Sequence, residues 1–155
     1  MDDSTRIATS PEDFETAARL LVAFNTEYDE PAPEPDWWAT HLARLSAEGT
    51  ARVVLAGRPG DGVGVVRLRT STYSEDLEAY LAELYVAPPL RGQGIGTVLL
   101  QAIIEDARAQ GATYMDLTTT EDDVAARAIY RRFGFDRNEG RGAEGALSYY
   151  YEKDL

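Results

Sequence analysis

Apolar positions along the chain change their period several times, and each change predicts an element. Phe14, Ala17, Ala18, Leu21 and Phe24 recur at three- and four-residue intervals, the spacing of one helix face. Ser10-Pro11-Glu12-Asp13 precedes them, which predicts Ser10 as N-cap and Pro11 at the first helical position. A short strand is expected before this, over Thr5 to Ala8. A second helix is expected with Asp36 as its cap and Trp38, Leu42 and Leu45 inward. The proline-rich stretch YDEPAPEPDWW, Tyr28 to Trp38, reads as a loop too short to mark a second domain. ARVVLA, Ala51 to Ala56, is a buried-strand run. RPGDG makes a turn and VGVVRLRTS returns as an antiparallel partner. EAYLAELYV, Glu78 to Val86, gives a third strand. Ile95, Val98, Leu99, Ala102 and Ile103 restore helical spacing, and Gly111 lies just past that helix. YMDLTTT is the next strand. A helix follows over Asp123 to Phe133, closed by Gly134. FDRN and ALSYYYEKDL are expected as two final strands. Strands and helices mixed in this way indicate an α/β or α+β fold. With no internal repeat, residues 1–155 are expected to form one domain.

Composition removes several classes of function. The chain is 44% hydrophobic and 27% charged, which suits an ordinary soluble protein. A net charge of −12, with no basic stripe among aromatics, argues against nucleic acid. No apolar run reaches membrane-spanning length, and MDDSTRIATS lacks the pattern of a signal peptide. A cytoplasmic location without membrane attachment is therefore expected. There are no cysteines, so disulfides, thiolate metal sites and a catalytic thiol are excluded. The single histidine, His41 in WWATHLARL, reads as a helix residue; no metal is expected. The acidity reads first as a solvated surface, and it also favours a cationic partner.

The segment PPLRGQGIGTVLL, Pro88 to Leu100, carries the strongest chemical signal. It joins a strand to a helix N-terminus, where first-turn N–H groups lack internal partners and the dipole favours negative charge. Removing side chains there lets an anion approach the amides, which makes a phosphate cradle with Arg91 at its rim. Helices ordinarily accept Asp or Glu in their first turn, yet none occurs from Leu90 to Ile104. No GxxxxGK[ST] is present. Gly92, Gly94 and Gly96 do not form GxGxxG, which argues against a P-loop or a dinucleotide fold.

Arg91-Gly92-Gln93-Gly94-Ile95-Gly96 resembles the [RQ]xxGx[GA] pyrophosphate loop of the GNAT superfamily of acyl-CoA-dependent N-acetyltransferases. DVAARAIYRRFGF, Asp123 to Phe135, resembles that family's NxxAxxxYxxxGF segment, and the predicted element order agrees over nearly the whole chain. The resemblance implies a mixed, mostly antiparallel sheet with flanking helices, in which two central parallel strands splay to admit the pantetheine arm. It implies acetyl-CoA as donor. Backbone groups of Leu84, Tyr85 and Val86 would meet the pantetheine arm and thioester, and the amides of Gly92, Gln93, Gly94, Ile95, Gly96 and Thr97 would hold the pyrophosphate. Asp123 stands on the cofactor side where the family has asparagine; it keeps the acceptor oxygen and N-cap role but has no amide donor. Tyr130 matches the tyrosine whose phenol protonates the departing thiolate. Such chemistry requires neither a metal nor a cysteine intermediate.

Glu83, inside an apolar strand, is the candidate base, with Glu78 and Tyr80 as weaker alternatives. Strict alternation puts Leu81, Glu83 and Tyr85 on one face and Ala82, Leu84 and Val86 on the other; a bulge, common at this point in the family, would change that parity. The acceptor pocket is expected along Asn25 to Trp38, where Glu27, Tyr28, Asp29, Glu30, Trp37 and Trp38 suit a cationic amine. Ser71 to Glu78 and Gly140 to Gly145 are expected as its other walls. The leading expectation is acetyl transfer to a primary amine of a small cationic molecule by direct attack on the thioester. Protein N-terminal or lysine acetylation is the second reading, weakened because Thr118 stands where ribosomal-protein acetyltransferases carry a base glutamate. A non-catalytic acyl-CoA-binding module is the third. A homodimer is left open.

Overall fold

The computed structural model describes residues 4–140 and 142–155. The chain forms two compact units, one ending at Met115 and the other beginning at Asp116. The first holds β1 (Thr5–Ile7), α1 (Pro11–Glu27), α2 (Pro35–Ala47), β2 (Ala51–Ala56), β3 (Gly62–Thr70), β4 (Leu77–Val86), a 3₁₀ turn (Pro88–Leu90) and α3 (Ile95–Ala109). β5 (Ala112–Leu117) crosses the boundary, and α4 (Val124–Arg132) lies in the second unit.

Local signals set the first helix. Ser10 caps α1: its hydroxyl accepts from the Asp13 N–H at 3.1 Å, and the Asp13 carboxylate accepts in return from the Ser10 N–H at 3.4 Å. Thr9 N–H at 3.1 Å and Arg6 Nε at 2.9 Å also donate to Asp13. α2 departs from expectation. Its N-cap is Glu34, which makes no side-chain cap bond, and Asp36 sits inside the first turn. Pro35 explains the shift, because its missing N–H and fixed φ suit the first helical position.

The strands form one sheet in the order β1-β2-β3-β4-β5. The first three pairings are antiparallel. β4 and β5 begin together, with Leu77 N–H donating to Gly111 O at 3.4 Å, so they run in the same direction across the α3 crossover. One sheet face supplies Val53, Leu55, Val63, Val65 and Tyr85 to a core closed by Phe14, Ala17, Ala18 and Leu21 of α1 and Leu42 of α2. The other meets α3. A Cβ on Gly64 would lie 2.2 Å from Ile103 Cδ1, so glycine lets the helix sit close. Arg52 of β2 donates from Nε and Nη2 to both oxygens of Asp106 on α3, each at 2.7 Å, fixing helix against sheet.

β3 and β4 do not keep a simple register. Val65 pairs with Glu83 but Val66 pairs with Leu81, so Ala82 is an extra residue, a β-bulge. The parity changes there. Glu83 and Tyr85 share the α1 and α2 face with Val65 and Val63, whereas Leu81 goes with Val66 to the α3 face. Strict alternation, which grouped Leu81 with Glu83, is corrected by this bulge.

In the second unit Asp123 caps α4, its Oδ1 accepting from Ala126 N–H at 3.2 Å. Gly134, at φ +86°, follows the helix end. The two final strands do not form: Phe135 to Asn138 and Ala146 to Leu155 meet only in the isolated antiparallel bridge Asn138↔Leu147. Tyr149, Tyr150 and Tyr151 are consecutive and all exposed, so they supply no buried alternate face to extend a ladder. Among the described residues no helix is long and apolar enough to cross a membrane.

Burial acts to raise the Asp13 carboxyl, but donation from Thr9, Arg6 and Ser10 outweighs it and holds the group below the usual aspartate value. Asp13→Asn is expected to lower stability in urea by about 1–2 kcal/mol at pH 7. A depressed folded pKa contributes stability that is present above the unfolded value, about pH 4, and is lost as pH falls through the folded one. The difference between wild type and variant should therefore shrink on acidification; a difference that ignores pH would contradict the ionised role.

Candidate functional site

The glycine stretch lies between β4 and α3. After the 3₁₀ turn, Arg91 is extended, and Gly92 and Gly94 take left-handed φ values of +78° and +84°. Gly94 is the N-cap of α3 and has no side chain to cap it; the first turn contains no acid. Ile95 is the first helical residue, followed by Gly96 and Thr97. Helix geometry leaves the Ile95 and Gly96 amides without a carbonyl one turn earlier. A Cβ at Gly92 or Gly94 would meet nothing within 4 Å, so the loop is open outward, and conformation rather than crowding requires glycine. Gln93 is exposed. A cavity of about 220 Å³ adjoins the loop, lined by Gln93, Gly94, Ile95 and Val98 and by Ser4, Ala56, Gly57 and Asp61.

Arg91 is engaged away from the glycine amides. Its Nε donates to Val86 O at 3.0 Å and its Nη2 to Glu27 Oε2 at 2.8 Å, while the guanidinium lies 5.5 Å from the Tyr85 ring centroid. Val86 O, expected to face pantetheine, thus already has a donor. Tyr85 stacks on Phe24 at 4.9 Å, and Phe24 meets Tyr28 edge-on at 5.5 Å. The Glu27 hydrogen bond raises the Arg91 pKa; burial, then the Glu27 charge, raises that of Tyr85. Sequence reasoning placed Glu27 only in the acceptor wall. Its pairing with a residue 64 positions away carries no local signal.

Glu83 is half-buried on the α1 and α2 face, with its pKa raised by desolvation. Among the described residues no side chain donates to it. Glu78 instead accepts from Arg69 Nε at 2.9 Å. Leu84 and Val86 pair with Gly64 and Gly62, and so lie on the α3 face. Along the expected acceptor segment Tyr28 and Trp37 are exposed, whereas Trp38 is half-buried against the core. Asn25 organises the turn: its carbonyl accepts from Tyr28 and Glu30 N–H, and its amide donates to Pro31 O at 2.8 Å. His41 stacks on Trp37 at 4.6 Å and its Nδ1 accepts from Arg44 at 2.8 Å. Of the loop 140–145, Arg141 lies outside the described residues.

In the second unit Tyr130 is half-buried on α4, edge-on to Phe135 at 5.9 Å. Burial, and then the charge of Asp123, push its phenol up to about 12, so it holds its proton at neutral pH. Thr118 is exposed. Asp116 was missed by sequence reasoning: among the described residues its buried Oδ1 has no hydrogen-bond partner, in a strand whose pattern read as structural.

The Acetyltransferase (GNAT) family model matches residues 16–135, and the chain belongs to that family. Streptothricin acetyltransferase of Streptomyces lavendulae is 35% identical over 82 residues, covering 53% of this chain and 42% of its own. Aminoalkylphosphonate N-acetyltransferase of Salmonella typhimurium is 35% identical over 89 residues, covering 56% and 58%. The chain thus spans about half the length of these curated relatives. A chain from Arthrobacter sp. FB24 solved by crystallography under the name of a putative acetyltransferase is 36% identical and superposes with a TM-score of 0.83 over 98% of this chain and 97% of its own.

The loop fits a diphosphate donor: open left-handed glycines, no first-turn acid and an uncapped helix start coincide. Gly94→Val is expected to leave the far-UV spectrum folded while weakening acetyl-CoA binding at least tenfold by calorimetry, since the left-handed conformation is strained for a branched residue by roughly 1–2 kcal/mol. Unchanged affinity would remove the loop from the donor site.

Proposed function

We propose that the chain transfers an acetyl group from acetyl-CoA to a primary amine of a small cationic molecule, by direct attack of the amine on the thioester. The observation that carries this reading is the uncapped, acid-free glycine start of α3. When bound, acetyl-CoA supplies an activated acyl carbonyl and a thiolate leaving group.

The chain's residues divide the remaining work. Amides of Gly92 to Thr97 hold the diphosphate. Leu84, Tyr85 and Val86 line the pantetheine path with backbone groups, and an N–H of Leu84 or Val86 is the donor offered to the acyl oxygen. Asp123, which the family resemblance assigns to the cofactor, already commits its Oδ1 to Ala126 N–H. Glu83 takes the proton from the ammonium, directly or through water. Desolvation raises its pKa toward that of a useful base, and among the described residues its carboxylate has no competing side-chain donor. Tyr130 keeps its phenolic proton at neutral pH and gives it to the thiolate. The exposed Tyr28 and Trp37, with Asp29 and Glu30, suit a cationic acceptor. The relatives named for streptothricin and aminoalkylphosphonate support a small-molecule acceptor.

Thiol release from acetyl-CoA against a panel of small amines and peptide amines tests this reading. Release with small cationic amines is expected. Release only with peptides would favour protein acetylation, and binding without release would favour a non-catalytic module. With an active amine, the wild-type rate should rise with pH as Glu83 loses its proton at its raised pKa. Glu83→Gln should lower the neutral-pH rate by roughly 10²–10⁴-fold and recover partly at higher pH, as free amine accumulates. An unchanged rate and profile would exclude Glu83 as base. Tyr130→Phe should lower the single-turnover rate by roughly 10²–10⁴-fold with acetyl-CoA affinity retained. A rate equal to wild type would make Tyr130 a packing residue.

A further inference from the structure

The ion pair between Arg91 and Glu27 joins the C-terminal end of α1 to the entrance of the glycine loop. The geometry points to Glu27 as an internal competitor for Arg91: its carboxylate occupies the guanidinium that a donor diphosphate would otherwise engage, and donor binding releases it toward the acceptor side. This inference rests on the donor-site reading above.

Three observations carry it. First, the stem of Arg91 is anchored independently of Glu27, through Nε to Val86 O and by stacking on Tyr85. The guanidinium therefore keeps its Nε and ring contacts when Glu27 lets go, and it is Nη2 that is freed for the diphosphate. Second, the Arg91 and Glu27 side chains keep 43% and 27% of their exposure. A pair so open to water is weak, and a multiply charged diphosphate backed by helix amides is the stronger partner. Third, Glu27 is the last residue of α1 and adjoins Tyr28, Asp29 and Glu30, the segment read as the acceptor wall. Once released, its carboxylate adds a negative charge there, where a cationic amine gains from it. The exchange makes and breaks only ion pairs and hydrogen bonds. It favours donor binding before acceptor binding.

The alternative is that Glu27 props Arg91 in place for the donor. The two accounts predict opposite signs, so calorimetric titration with acetyl-CoA at low salt separates them. If Glu27 competes, Glu27→Gln should tighten binding by roughly twofold to fivefold, the strength of an exposed ion pair. Arg91→Ala should weaken it. Adding Glu27→Gln to Arg91→Ala should then change little, because the competition needs both partners; a general field effect of removing one negative charge would persist in that background. Glu27→Gln that leaves affinity unchanged or weakens it, or that tightens binding equally with and without Arg91, overturns the proposal. A wild-type chain that binds no acetyl-CoA would instead overturn the donor-site reading on which it rests.

Discussion

Helix α3 starts without anything of its own to complete it. An N-cap side chain contributes about 1 kcal/mol to a helix, and Gly94 forgoes it. First-turn acids that would complement the dipole are missing too. Stability must therefore come from the other end and the buried face. Leu99, Leu100 and Ile103 are essentially fully buried, each worth about 1.5–3 kcal/mol, and the bidentate Arg52–Asp106 pair fixes the helix one turn before its end. Those terms outweigh a missing cap several times over. The helix can thus begin at an uncapped glycine while its body stays fixed to the sheet.

The sheet meets a second constraint at β4. A regular strand would have put Glu83 on the same face as Leu81, which packs toward α3. The extra residue Ala82 turns Glu83 to the α1 and α2 face, the face that also carries Tyr85. One inserted residue thus decides which side of the sheet receives the carboxylate. Desolvation on that face raises its pKa. The same face carries the Tyr85–Phe24–Tyr28 aromatic column, so the strand that leads to the glycine loop and the end of α1 are one packed assembly.

What the sequence revealed divides by range. Ser10 was readable as the cap from the four letters Ser10 to Asp13, and the structure adds the return bond from Asp13. The glycine loop was equally local, as were the β2–β3 hairpin and the Asp123 cap. Asp36 was misread because Pro35, one residue earlier, competes for the start of α2 and wins on backbone geometry. The Ala82 bulge depends on the register of β3 against β4, which no window on β4 contains. The Arg91–Glu27 contact depends on how α1 packs across the sheet. The final strands failed for another reason: β-favouring residues such as Tyr149 to Tyr151 make a ladder only where a face is buried, and theirs is exposed. Family membership was legible because its motifs are local. The acceptor is not, because no local motif in the chain encodes it.

The central claim is that the amides at the start of α3 receive the donor's diphosphate. Residue-resolved amide NMR during titration with CoA tests it most directly, with pantetheine as the control that lacks phosphate. The account predicts the largest shifts at Gly92 to Thr97 with CoA and little change at those amides with pantetheine. Saturable CoA binding that leaves these amides unmoved would contradict it.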